Sequence, residues 1–160
     1  MNISIRNIEK EDNQTIAKII RNTLEEFDSA VPGTVYFDAS TDHLFELFQH
    51  DRSVYFVAFV DEKLVGGSGI LPTDGLPPKV CELVKLYLSP EARGIGLGIR
   101  LIQKCFETAK EMGYEKIYLE TREKMKMAVP LYEKLGFAYL EKPLANSGHH
   151  STNIWMIKDL

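Results

Sequence analysis

The sequence is short of cysteine, of long apolar runs and of any excess of basic charge, and each shortage removes a class of function. Its two cysteines, Cys81 and Cys105, have no metal-ligand spacing and are too few to build a disulfide framework in a chain of 160 residues. Cys105 falls on the apolar stripe of a predicted helix, where a thiol behaves as a small hydrophobe. With 19 Lys and Arg against 23 Asp and Glu, the net charge is −4. The chain therefore lacks the broad basic face that a nucleic-acid binder uses to displace counterions. The longest apolar run, Val54 to Val60, is far shorter than the roughly 20 residues of a membrane-spanning helix. The N-terminal MNISIRNIEKEDNQ shows no basic-then-apolar leader pattern. No Cys–His or Ser–His pairing suggests a covalent nucleophile. These shortages lead us to expect a soluble cytoplasmic protein of one domain, residues 1–160, with no nucleic-acid, membrane or metal partner.

What is present is a regular alternation of strand and helix signals. Asn2–Ile8 alternates as a first strand, and Ile16, Ile19, Ile20, Leu24 and Phe27 have the spacing of an amphipathic helix. Ser40-Thr41-Asp42 can cap a short second helix carrying Leu44, Phe45 and Phe48. Val54–Val60 and Leu64–Leu71 read as a hairpin, the second strand loosened by Gly66, Gly67 and Gly69. Cys81–Leu88 is a fourth strand. Leu101, Ile102, Cys105, Phe106, Ala109 and Met112 mark a long helix that stops at Gly113. Lys116–Glu120 is a fifth strand, and a further helix is predicted over Lys124–Leu135, with Pro130 in its first turn or at a kink. Phe137–Leu140 and Asn153–Ile157 close the sheet. The order β-α-α-β-β-β-α-β-α-β-β implies an α/β protein with a mixed sheet and helices on both faces.

Between the fourth strand and the long helix lies Arg93-Gly94-Ile95-Gly96-Leu97-Gly98. Glycines at alternate positions allow positive φ and close approach of the backbone to a ligand. The following helix adds unpaired N–H groups and the positive end of its dipole. Together these make a cradle for a phosphate. The turn lacks the Gly-Lys-Ser/Thr end of a nucleotide P-loop, and it is not Gly-x-Gly-x-x-Gly.

The wider pattern is similar to a known family. Arg93-x-x-Gly96-x-Gly98, preceded by Leu83-Val84-Lys85-Leu86-Tyr87-Leu88 and Ser89-Pro90-Glu91, resembles the acetyl-CoA-binding signature of the GCN5-related N-acetyltransferases, the GNAT family. Ala128-Val-Pro-Leu131-Tyr132-Glu-Lys-Leu-Gly136-Phe137 resembles that family's A-x-x-L-Y-x-K-x-G-F segment, and the element order matches over nearly the whole chain. The resemblance implies a mostly antiparallel sheet flanked by helices, with the fourth and fifth strands splayed apart. It implies acetyl-CoA as co-substrate, its pyrophosphate held by the backbone N–H groups of Arg93, Gly94, Ile95, Gly96, Leu97 and Gly98. The pantetheine arm would pair with the backbone of Leu86, Tyr87 and Leu88 as an added strand, where one N–H would polarise the thioester carbonyl.

Tyr132 matches the family's general acid for the leaving thiolate. Two carboxylates compete for the base, Glu82 on the fourth strand and Glu120 at the end of the fifth. If the strand alternates, Glu82 shares a partly buried face with Val84 and Leu86, which would raise its pKa. The acceptor is expected to be a small-molecule amine bound beside Glu26, Tyr36 and these acids. A peptide or protein amine, a non-catalytic CoA-binding module and a simple interaction domain are the alternatives. His149 and His150 lie in the loop before the last strand, as acceptor-site or merely exposed residues. Where many family members carry an asparagine that contacts CoA, this chain has Met125, flanked by Lys124 and Lys126. A homodimer is compatible with the family, and no residue pattern selects it.

Overall fold

The computed structural model describes residues 1–160. Its elements are β1 (Ile3–Asn7), α1 (Asn13–Glu26), α2 (Leu44–Leu47), β2 (Val54–Val60), β3 (Lys63–Leu71), β4 (Val80–Leu88), α3 (Leu97–Glu111), β5 (Lys116–Thr121), α4 (Val129–Lys134), β6 (Ala138–Leu140) and β7 (Ile154–Asp159). They form one seven-stranded sheet in the order β1-β2-β3-β4-β5-β7-β6. Every neighbouring pair is antiparallel except β4–β5.

The central strands are apolar on both faces because both are covered. Along β2, Val54, Phe56 and Ala58 join a core with Leu97, Leu101, Ile102 and Cys105 of α3. The alternate residues Tyr55 and Val57 pack against Ile16, Ile20 and Leu24 of α1 and Leu44 of α2. This is the period-two division of a strand buried on two sides. Cys105 has no exposed surface, and burial pushes its thiol up to about 12, as suits an inert packed side chain.

Two irregularities in the sheet position everything that follows. The first is the splay. β4 and β5 pair only over Val80↔Lys116, Cys81↔Ile117 and Glu82↔Tyr118. Beyond Glu82, β4 continues beside β3 as far as Leu88, and β5 continues beside β7 as far as Thr121. The β4 edge from Leu83 to Leu88 is left without a strand partner, which opens a wedge in the middle of the sheet.

The second is a bulge. The β3–β4 register skips between Gly67↔Tyr87 and Gly69↔Val84, so β4 carries one extra residue there, and Lys85 sits at φ 56°. The extra residue reverses the pleat. Val84 and Tyr87 face the α1 side, whereas Leu86 and Leu88 join Leu83 on the α3 side. Simple alternation would have placed Leu86 with Val84, so that expectation is corrected by the bulge.

The glycines of β3 make the bulge reachable. A Cβ on Gly67 or Gly69 would lie 2.6 or 2.7 Å from the Tyr55 ring. That ring crosses β3 above them, and its hydroxyl donates to the Lys85 carbonyl at 2.8 Å. The room these glycines leave is thus taken by an aromatic side chain.

The fourth helix is shorter than predicted. Residues 122–128 form turns, and α4 begins at Val129 with Pro130 in its first turn. Proline lacks the N–H that an interior position would need, so the helix can start at it but cannot run through it.

Candidate active site

At the end of β4 the chain turns through a 3-10 segment, Pro90–Ala92, into the glycine turn and α3. Gly94 and Gly96 adopt φ 76° and 79°, and a Cβ at either would meet nothing within 4 Å. Glycine is required there by backbone conformation, and the space above it is open. Gly98 is different: its Cβ would press on Leu131 of α4 at 3.1 Å, so this glycine lets the two helices approach. From Gly94 to Ile99 no backbone N–H donates to an acceptor within the chain. Six adjacent donors at a helix N-terminus suit an anion.

Arg93 closes the side of this cradle. Its guanidinium donates to both oxygens of Glu26 at 2.6 and 2.8 Å, bonds the Leu88 carbonyl at 3.0 and 3.2 Å, and lies over the Phe27 ring. The bidentate pair holds the Glu26 carboxyl below its ordinary range. Glu26 was expected on the acceptor side. It instead joins α1 to the turn and lines neither cavity described below.

The wedge beside β4 holds two adjoining cavities. The larger, about 270 Å³, runs from the glycine turn along Leu86, Tyr87 and Leu88, with Phe27, Met125 and Leu131 opposite. The smaller, about 90 Å³, lies where β4 and β5 part and is lined by Glu82, Lys85, Glu120, Arg122, Tyr132 and His149, among others. Leu86, Tyr87, Met125 and Ala128 line both cavities, so an extended ligand in the first would present its end to the second. Met125 contributes apolar surface to this shared wall. Lys124 does not turn to the cradle, because it is paired with Asp28 at 2.7 Å.

The two candidate bases have opposite surroundings. Glu82 is buried at the last paired position of β4 and accepts a single hydrogen bond, from the Thr73 hydroxyl at 2.6 Å. Burial is the main cause that raises its carboxyl to about 7, and the nearby Glu120 charge adds to it. Glu120 is fully engaged. It accepts from Tyr118 at 2.7 Å, Ser147 at 2.6 Å and Thr152 at 3.3 Å, which ties the 141–153 loop to β5.

Tyr132 is buried against Phe137, with ring centroids 5.7 Å apart, and burial raises its phenol well above the ordinary value. Its hydroxyl makes no hydrogen bond within the chain, and the residue lines the smaller cavity. Tyr36, expected on the acceptor side, packs edge-to-face with Phe37 and lines neither cavity; Thr34 and Val35 take that place. His149 does reach the cavity, its Nε2 2.7 Å from Asp38, whereas the His150 ring packs over Gly33. Sequence reasoning passed over Lys85, Arg122 and Thr73. A lysine inside the apolar run ELVKLYL was the available signal for Lys85.

The sequence profile of the Acetyltransferase (GNAT) family matches residues 17–137, from within α1 through α4, and takes in the lining of both cavities except His149 and Thr152. The chain belongs to the GNAT family. Among its relatives, the uncharacterized N-acetyltransferase YjgM of Escherichia coli (strain K12) is 35% identical over 157 residues, covering 98% of this chain and 94% of that protein. A GNAT acetyltransferase from Staphylococcus aureus Mu50 superposes with a TM-score of 0.87 at 18% identity, covering 99% of both chains. The PaiA N-acetyltransferase of Thermoplasma acidophilum, solved in complex with coenzyme A, superposes with a TM-score of 0.77 at 20% identity and covers 100% of both chains. At these identities the structural likeness establishes the GNAT fold, including the mostly antiparallel sheet and the parallel β4–β5 pair.

Proposed function

We propose that this GNAT chain moves the acetyl group of acetyl-CoA directly to a primary amine of a small molecule. The observation that carries the reading is the pairing of an anion cradle at Gly94–Ile99, whose N–H groups have no acceptor in the chain, with a desolvated carboxylate and a desolvated phenol in the adjoining cavity. In this reading the cradle and the free edge at Leu86–Leu88 hold the pyrophosphate and pantetheine arm. That placement sets the thioester where the two cavities meet. A backbone N–H of that edge faces the thioester oxygen as negative charge develops on it.

An alkyl ammonium has a pKa of roughly 10.4 and must lose a proton before it attacks. Glu82 receives that proton, and a carboxyl raised to about 7 is half ionised at neutral pH and far more basic than an ordinary carboxylate. Nitrogen bonds to the acetyl carbon, the carbon–sulfur bond breaks, Tyr132 gives its proton to the departing sulfur, and the second proton that nitrogen sheds in becoming an amide restores the Tyr132 phenol. Glu120 braces the loop that walls the acceptor cavity and takes no proton. The volume of about 90 Å³ favours a small acceptor over a protein side chain. Two buried free cysteines, Cys81 and Cys105, favour a reducing cytoplasmic setting. The whole chain, 1–160, acts as the catalytic unit, and sedimentation of the purified protein tests whether it does so as a homodimer.

The test is an amine screen with acetyl-CoA, read as free thiol, using the natural protein beside Glu82→Gln and Tyr132→Phe. Thiol release that depends on one amine, and falls in both variants, is the expected result. If no amine raises thiol above the hydrolysis background, the proposal fails.

A further inference from the structure

Two of the donors around the smaller cavity have no partner within the chain. Glu120 is committed to three hydroxyls, and Asp38 is committed to His149. Glu82 titrates near neutrality and so carries only part of a charge. The two cations are free of such ties. Neither Lys85 nor Arg122 makes a side-chain hydrogen bond or an ion pair with any residue of the chain, though both line the cavity. Arg122 Nη1 is buried without a partner, the one side-chain nitrogen or oxygen atom in the molecule in that condition. Buried donors are rarely left so, and a charged one needs an acceptor from elsewhere.

Lys85 is held in the same unusual position by the fold. Its left-handed backbone at the β4 bulge is fixed by the Tyr55 hydroxyl, and the carboxylates that act on its ammonium, Asp38 and Glu82, lie beyond ion-pair distance. Burial lowers the Lys85 pKa, which is the response of a desolvated ammonium awaiting a counter-charge. An acceptor recognised only as a cationic amine would leave both of these donors without an acceptor.

Resting on the amine-acceptor reading, we infer that the acceptor is an amino acid whose carboxylate is received by Arg122 and Lys85 while its amine faces Glu82. A planar guanidinium and an ammonium suit the two oxygens of one carboxylate. A cavity of about 90 Å³ suits a molecule of amino-acid size. On this view Arg122 and Lys85 determine specificity, and Glu82 handles the proton.

The test combines binding and turnover on the CoA-loaded protein. The twenty common amino acids are each compared with their carboxamides and their decarboxylated amines, by calorimetry and by thiol release with acetyl-CoA. At least one amino acid is expected to bind at least 100-fold more tightly than its amide and amine. Arg122→Gln and Lys85→Gln should each raise its KM and Kd tenfold or more, leaving CoA affinity unchanged, and Arg122→Lys should recover part of the loss. Amino-acid binding without turnover would sustain this inference and overturn the proposed activity. Equal binding of the carboxylate-free amines would overturn the inference and leave the activity standing. So would failure of every amino acid to bind, or variants whose Kd does not change.

Discussion

Glu82 and Glu120 face the same cavity, and hydrogen bonding separates their roles. The Glu120 carboxylate accepts from Tyr118 on one oxygen and from Ser147, with Thr152 farther off, on the other, whereas Glu82 has one partner and is buried. Its rise from 4.5 to about 7 has a stability consequence. Between these values the folded chain binds a proton that the unfolded chain has lost, so stability falls as pH rises through 7. The loss is on the order of 3 kcal/mol by the usual linkage. Glu82→Gln keeps an acceptor for Thr73 and removes the charge. Urea unfolding should therefore show the variant more stable than the natural protein by about 1–3 kcal/mol at pH 8 and nearly equal to it at pH 5. Its kcat/KM should also lose the ascending limb near pH 7 that the natural enzyme shows. A variant that keeps this limb would remove Glu82 from the base role. Tyr132 is a gentler case, because burial makes its phenol a weaker acid and a thiolate is already a tolerable leaving group. Tyr132→Phe should lower kcat by about tenfold to a hundredfold, at or below the low end of general-acid effects, with the affinity for CoA unchanged in equilibrium binding.

At the scale of elements, β3 and β4 work as a pair. Gly67 and Gly69 leave room for the Tyr55 ring, the ring carries a hydroxyl across the strand, and that hydroxyl holds the Lys85 carbonyl at the bulge. Gly67→Ala would place its Cβ 2.5 Å from the Phe56 carbonyl oxygen and 2.6 Å from the Tyr55 ring. Overpacking of this kind costs about 1–3 kcal/mol, to be read from the urea midpoint. Tyr55→Phe should cost about 1 kcal/mol for the lost bond. This device was only half legible beforehand. Glycines in a strand signal a close approach, but nothing in GGSG says whether a side chain or a ligand arrives. The glycine turn could be read because its physics is local: positive φ and free N–H groups follow from residue type and position. Glu82 could be read as a candidate because it precedes that turn on the same strand. The pairing of Glu26 with Arg93 spans 67 residues, and the meeting of Arg122 with Lys85 depends on a splay and a bulge. Those are consequences of tertiary register, which strand periodicity does not encode.

For the whole molecule, the two cavities lie at the place where the sheet divides. β4 and β5 share three residue pairs and then separate, and the two halves of the sheet are otherwise joined through the helices that cover them and through loop contacts such as Asn146 to Asp74 and His149 to Asp38. A ligand lying along Leu86–Leu88 with its phosphates on Gly94–Ile99 would touch β4, the start of α3 and the α4 side of the cleft together. Binding to the native state alone stabilises it by about 2.7 kcal/mol at a ligand concentration 100 times Kd. For a chain of this size, each kcal/mol moves Tm by roughly 2–4 °C. CoA should thus raise Tm by about 5–10 °C. Gly96→Glu supplies the control: a side chain forced to φ 79° adds backbone strain of roughly 1–2 kcal/mol, and its carboxylate would oppose the phosphates. The variant should begin from a lower Tm and gain nothing from CoA. If it gains as much as the natural protein does, the phosphates do not sit on the glycine turn, and the assignment of the larger cavity to CoA fails with it.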